Sequence, residues 1–482
     1  MIYITFIMYK GQMKKIIILL LFSTMAKAQI SFPGPFFFGL ATAPGHVEDQ
    51  LDDIWKVWGE SGKTRAFLNQ AIPQERLQFW SHPEVELDLA AKTGIQVYRL
   101  GVDWGRVMPK PHVFDQEVIK RYHEILSAVK TRKMKIMLTL MHHSIPKWAQ
   151  EMGGWHNEKM TNHFQEFSQK MIEEFHPDVE YWITFNEANV FATLAYTAGL
   201  WPPGEKKGLT SLLAFGPIRG ETVKTMDRMS DSHNDIYDWA HKKFPTIKMG
   251  IAHNMAYYTG KSFLDRISAS FSNRLMNWRF PERIKNHMDF FGFNYYGAEW
   301  LKGSTIDIDP VEEYSEAGRA IYTQGLYLLL KEIHQQYKNL PIIITENGIS
   351  DATDILRPAY MIEHLAAIAA AMKEGVPVTG YIFWTLADNM EWADGYCPKF
   401  GLLEVARDQN LKRIRRTSYN IFQKIIAARG VSEEMRKDAW INVIKNVGTD
   451  RPFCRASDGV NALDVPVKRK IISKDWRFTL PE

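Results

Sequence analysis

Eight short apolar runs recur along the chain, at residues 36–43, 95–104, 135–143, 179–187, 247–254, 290–296, 341–347 and 378–386. Helix-period segments lie between most of them, as at 116–131, 162–175, 325–337 and 359–373. Strand-length runs alternating with helices predict a parallel sheet, since each crossover must return the chain to the same end of the sheet. A count of eight predicts closure into a single (β/α)8 TIM barrel, an α/β fold. No low-complexity stretch or linker interrupts the alternation, and 482 residues suffice for one large barrel with an addition. The expected organisation is a leader over 1–28, a barrel over 29–431 and a C-terminal extension over 432–482 packed on the barrel. A helix is expected at 433–447, and little periodic structure from 452 to 482.

The ends of these runs are unusual for core strands. The fourth closes on Thr184-Phe185-Asn186-Glu187 and the seventh on Ile344-Thr345-Glu346-Asn347-Gly348. A single strand-end carboxylate is ordinarily a turn residue. Two of them, far apart in sequence but delivered to the same end of a barrel, are what acid-catalysed glycoside cleavage needs. The other runs add Arg99, His142-His143, Asn294-Tyr295-Tyr296, Trp384 and the segment Asp388-Asn389-Met390-Glu391-Trp392. Each of these could by itself be a structural residue; gathered at one barrel face, they read as a site.

The N-terminus carries Met13-Lys14-Lys15, an apolar stretch over 16–22, and Ala26-Lys27-Ala28. This basic, apolar, small-x-small order is that of a secretory signal, so export with cleavage after Ala28 is expected. The first twelve residues read as an upstream extension, and the lysines between 10 and 15 argue against one continuous span. The net charge of +4 is too mild and dispersed for a nucleic-acid partner. Cys397 and Cys454 show no zinc spacing; two free thiols are the commoner case, with a disulfide as the alternative in an exported protein, since spacing alone does not give their distance. No cofactor or metal is expected. The basic residues Lys468, Arg469, Lys470, Lys474 and Arg477 read first as a solvated tail, and alternatively as a patch for an acidic or membrane surface.

These motifs resemble glycoside hydrolase family 1, the β-glucosidase and β-galactosidase family. Thr184 to Glu187 is similar to its acid/base motif, Ile344 to Gly348 to its nucleophile motif, and residues 380–392 to its sugar-platform segment. Further likeness is to a plant branch of that family, the sensitive-to-freezing galactolipid galactosyltransferases. It is carried by residues 37–49, by Leu140-Met141-His142-His143-Ser144-Ile145-Pro146, by Tyr396-Cys397-Pro398-Lys399-Phe400-Gly401-Leu402 and by Lys474-Asp475-Trp476-Arg477-Phe478. The chain departs from typical family members at Gly45-His46, where they have Tyr-Gln, and at His143, where they have Trp.

The resemblance implies a retaining β-glycosidase. Glu346 would be the nucleophile and Glu187 the general acid/base, with Arg99 and Tyr296 keeping Glu346 ionised and Glu187 protonated at rest. Asn186 would hold the sugar 2-hydroxyl. His46, His142, Asn294 and Glu391 would bind the sugar, with Trp384 as stacking floor and Trp392 as a wall. The expected partner is a small glycoside or glycolipid carrying a terminal β-D-glucosyl or β-D-galactosyl group. Galactolipid transfer at a membrane surface is the alternative, and a non-catalytic sugar-binding barrel a further one that the presence of both glutamates disfavours. The connections over 59–79 and 256–289 are short, which predicts an open acceptor side. The sequence leaves the oligomeric state undetermined.

Overall fold

The computed structural model describes residues 30–68, 75–212, 214–215 and 218–480. The signal-like segment lies outside the described residues. Eight parallel strands close into a barrel: β1 (Phe37–Ala41), β2 (Val97–Gly101), β3 (Lys135–Met141), β4 (Val179–Asn186), β5 (Met249–Asn254), β6 (Phe290–Tyr295), β7 (Ile342–Asn347) and β8 (Val378–Phe383). Neighbours in space are neighbours in sequence, and β8 closes on β1 with Gly380 opposite Phe37. Each strand lies inside a predicted run and stops one to three residues before the predicted end in most cases, because the terminal polar residues turn away from the ladder.

Apolar side chains make two layers. Phe37, Val97, Met137, Ile183, Ala252, Phe290, Ile343 and Ile382 fill the barrel interior. A larger cluster lies between strands and outer helices. The helix Gln116–Thr131 shows why the sequence pattern is legible: Asp115 caps it by accepting from the Glu117 and Val118 amides, and Ile119, Tyr122, Leu126 and Val129 bury one face.

Three ladder irregularities fall at the C-terminal ends of strands: between Ile183 and Asn186, between Phe293 and Asn294, and between Ile344 and Asn347. Such bulges re-aim a side chain without ending the strand. Here they affect β4, β6 and β7, which carry Glu187, Asn294 and Glu346.

The extension is more structured than its sequence suggests. The expected helix is present as Glu433–Lys445, and it is followed by an antiparallel hairpin, β9 (Asp450–Arg455) and β10 (Ala462–Lys470). β10 is largely solvent-facing, with Val465 and Val467 exposed. The tail then packs along the barrel helices: Trp476 and Phe478 are buried, and the Phe478 amide donates to Glu363. Most of the basic cluster is locally engaged. Arg469 donates to the Glu312 carbonyl, Lys474 pairs with Glu312, and Arg477 pairs with Asp475.

Cys397 and Cys454 form a disulfide, with Cα atoms 6.0 Å apart. The free-thiol expectation is therefore corrected. Linear spacing carried no information on this distance; the hairpin sets it by laying β9 across the loop after β8.

Candidate active site

The strand ends enclose a cavity of about 270 Å³ at the C-terminal mouth of the barrel. His142, Asn186, Glu187, Tyr296, Glu346, Trp384, Glu391 and Trp392 line it. Arg99, Asn294 and His46 are absent from that lining and are fully buried. All eleven residues singled out in the sequence thus converge, but three of them support the wall rather than form it.

Arg99 is the hub. Its Nη1 donates to Glu346 Oε1 at 2.5 Å and to the Thr345 carbonyl at 3.0 Å, and its Nη2 donates to Asn186 Oδ1 at 2.6 Å. Tyr296 donates its hydroxyl to the other Glu346 oxygen. Glu187 sits one residue beyond β4 with φ 45° and ψ 52°, a left-handed conformation uncommon for a residue with a long side chain. Asn254 and Asn294 donate to its Oε1 at 3.0 and 2.9 Å. Asn294 also donates to Asn186 Oδ1 and accepts from the Thr345 hydroxyl, so one amide connects both carboxylate-bearing strands.

The hydrogen-bond network assigns the histidine tautomers. Asn186 Oδ1 accepts from Arg99 and Asn294, so its Nδ2 is the donor toward His142 Nε2 at 2.9 Å and His143 Nε2 at 3.2 Å. Both imidazoles therefore accept through Nε2 and carry their proton on Nδ1. Burial lowers both pKa values, keeping the rings neutral. His143 Nε2 lies 3.7 Å from Glu187 Oε2.

Burial pushes the Glu346 carboxyl up to about 7, opposed by the Arg99 cation and raised further by the neighbouring Glu187 charge. Dehydration is the largest influence, and Arg99 and Tyr296 both act against it in favour of the ionised form. Burial also raises Glu187, while a proton on His143 and the amides of Asn294 and Asn254 pull it down, with a net lowering when that imidazole proton is present. The neutral His143 deduced above removes the leading downward pull. Only Glu346 touches a permanent cation, so the proton shared by this pair belongs on Glu187.

The floor and wall are aromatic. Trp384 donates its Nε1–H to Glu391 Oε1 at 3.2 Å. His46 donates through Nδ1 to the Met390 carbonyl and packs on Trp392 with ring centroids 4.0 Å apart, so it braces the platform loop from behind. Gly45 permits that packing, because a Cβ there would stand 2.9 Å from the Trp392 ring. At Gly348 a Cβ would meet the Trp384 carbonyl at 1.9 Å, so only glycine lets the end of β7 approach the end of β8 this closely.

Sequence reasoning placed His143 in the strand-end group but gave it no role, and it missed Asn254. Both stand at strand ends, the same signal that identified their neighbours. It also missed the hairpin: Arg455, Gly459, Val460, Asn461 and Ala462 line the cavity together with Lys63, Thr64 and Arg65. The short loops do not leave the acceptor side open, because the β9–β10 turn occupies that place. Arg455 pairs with Asp394 and donates to the Ala317 carbonyl, fixing the turn there.

Residues 28–281 and 281–431 match the family model for glycosyl hydrolase family 1. The chain belongs to glycosyl hydrolase family 1. Within it, the chain is 38% identical over 514 residues to the "Galactolipid galactosyltransferase SFR2, chloroplastic" of Arabidopsis thaliana, covering 92% of this chain and 82% of that protein. It is 35% identical to the "Beta-glucosidase-like SFR2, chloroplastic" of Oryza sativa subsp. japonica, over 92% of this chain and 83% of that one. Among solved structures, the β-glycosidase from Pyrococcus horikoshii superposes with a TM-score of 0.75 at 26% identity, covering 85% of this chain and 98% of that one. The family assignment agrees with the closed eight-stranded barrel and makes this a β-glycosidase-type enzyme.

Proposed function

We propose that the protein is a retaining β-glycosidase, with Glu346 as nucleophile and Glu187 as acid/base, acting on terminal β-D-glucosyl or β-D-galactosyl groups. The observation that carries this reading is the unequal surroundings of two carboxyls in one cavity. Glu346 is gripped by a guanidinium and a phenol; Glu187 meets only amides and a neutral imidazole. Two acids whose environments part their proton affinities divide naturally into anion and acid.

In the first step a Glu346 oxygen bonds to the anomeric carbon as the bond to the aglycone oxygen breaks, and Glu187 gives its proton to that oxygen. In the second, Glu187 takes a proton from water or an acceptor hydroxyl as that oxygen displaces Glu346. Asn186 and Tyr296 line the cavity beside Glu346; Asn186, oriented by Arg99, would bind the sugar 2-hydroxyl by giving up one of its Nδ2 bonds to His142 or His143. His142 and Glu391 both line the cavity, which suits them to the sugar edge. His46 acts through the platform loop. Glu346→Ala should abolish turnover of an aryl glycoside. Azide should partly restore Glu187→Ala with an activated donor, giving the azide of retained configuration. Full activity of Glu346→Ala, or an inverted product, would overturn the roles.

Galactosyl transfer to a lipid-linked sugar is favoured as a second reading by the acceptor side, where Val190, Leu194, Leu200, Ile306 and Val460 join the lining. The name of the Arabidopsis relative points the same way. Incubation with monogalactosyl diacylglycerol separates the two: oligogalactolipids mean transfer, free galactose alone means hydrolysis. Export after Ala28 is supported by the disulfide, which belongs in an oxidising compartment. N-terminal sequencing of the mature protein tests it.

A further inference from the structure

The helix Phe263–Ser272 is inside out. Of its side chains only Ala269 is buried, whereas Phe263 is 70% exposed, Leu264 71%, Ile267 52% and Phe271 48%. At 100° per residue these four fall on one stripe about 100° wide. Phe263 and Leu264 are the two most exposed large apolar residues among those described. Single exposed apolar side chains are ordinary, but a contiguous helical face of two rings and two aliphatics marks a binding surface.

From this face the geometry points to a membrane-docking surface, a shallow apolar helix that lies in the interfacial plane of an anionic bilayer. Three observations select this occupant. First, the patch is convex, formed by side chains protruding from a helix anchored from beneath. Ser262 and Asp265 form its capping box, and the Gly303 amide donates to Asp265, tying the helix to the strands Tyr257–Gly260 and Ala298–Lys302. Second, exposed cations flank it at Arg266, Arg274 and Lys302, while the nearest acid, Asp265, is occupied by Ser262 and Gly303. Lipid headgroups of negative charge complement that margin. A second copy would bring the same three cations against themselves. Third, the helix stands at the mouth. It follows β5, whose Asn254 contacts Glu187, and it packs beside the sheet whose last strand brings Ile306 to the cavity lining. Docking there would hold the cavity at the lipid margin. The inference does not rest on the catalytic reading, since its test measures binding.

The full chain is mixed with phosphatidylcholine vesicles with and without phosphatidylglycerol, and read by flotation and by hydrogen exchange of the 263–272 segment. Binding to the anionic vesicles, weakened by salt, with slowed exchange in that segment is expected. Phe263→Ser/Ile267→Ser should lose at least about tenfold in vesicle affinity, with aryl-glycoside turnover and melting temperature unchanged. Equal flotation of wild type and variant would place membrane binding elsewhere and overturn the inference. So would absence of flotation, or protection of the segment by self-association without vesicles.

Discussion

At the residue scale, function turns on where one proton resides. Glu346 and Glu187 are both buried, and each charge opposes the other. Turnover needs Glu346 ionised. Burial raises its carboxyl above the ordinary carboxylate range, so kcat/KM should fall on an acidic limb that lies above that range. Tyr296 donates to the ionised form, so Tyr296→Phe removes a stabilising bond from the carboxylate. The pKa rises further, and the acidic limb of the kcat/KM profile should move to higher pH. A limb that stays in place would mean Tyr296 does not tune the nucleophile. The stabilising role of Tyr296 was legible through the family resemblance, but the rise of Glu346 above the carboxylate range was not. The sequence identified the charged neighbours but not how completely water is excluded from them.

At the scale of elements, the β9–β10 hairpin does most to distinguish this chain from a bare barrel. Its turn lines the cavity, and Cys397–Cys454 binds it to the loop that carries Glu391 and Trp392. The disulfide closes a segment of 57 residues, for which chain entropy gives about 4 kcal/mol of stabilisation. Cys397→Ser should therefore lower the melting temperature under non-reducing conditions. It should also raise KM more than it lowers kcat, because the loosened turn borders the acceptor side rather than the carboxyls. Wild type in dithiothreitol should behave like the variant; unchanged melting in both would sink this account. The hairpin was hidden from sequence reading although Leu463, Val465 and Val467 alternate with Asp464, Pro466 and Lys468, because Pro452 and Pro466 interrupt its two strands and argue against strand there.

At the scale of the whole molecule, the extension and the barrel share one buried charge. Glu363, on the helix Arg357–Lys373, is fully buried, and its partners all come from the extension: Arg436, Trp440 and the Phe478 amide. Removing one partner of a buried pair leaves a dehydrated charge and costs about 3–5 kcal/mol. Arg436→Met should destabilise the protein on that scale in urea titration. Glu363→Gln/Arg436→Met should recover much of the loss, since the amide needs no counter-charge. If the single variant melts like wild type, the extension is not integral to the fold.

The amino-acid sequence alone determined the barrel, because strand and helix periodicities are local and each of the eight units repeats them. It determined most of the site as well, because a polar or charged side chain that closes an apolar strand is costly to bury in a core and is tolerated at a barrel mouth. Tertiary structure alone decided which of those residues face the cavity, why His46 braces rather than lines it, that two distant cysteines meet, and that the hairpin of the extension borders the mouth. These depend on side chains brought together across hundreds of residues. No local pattern encodes such distances, and the water they exclude sets the chemistry.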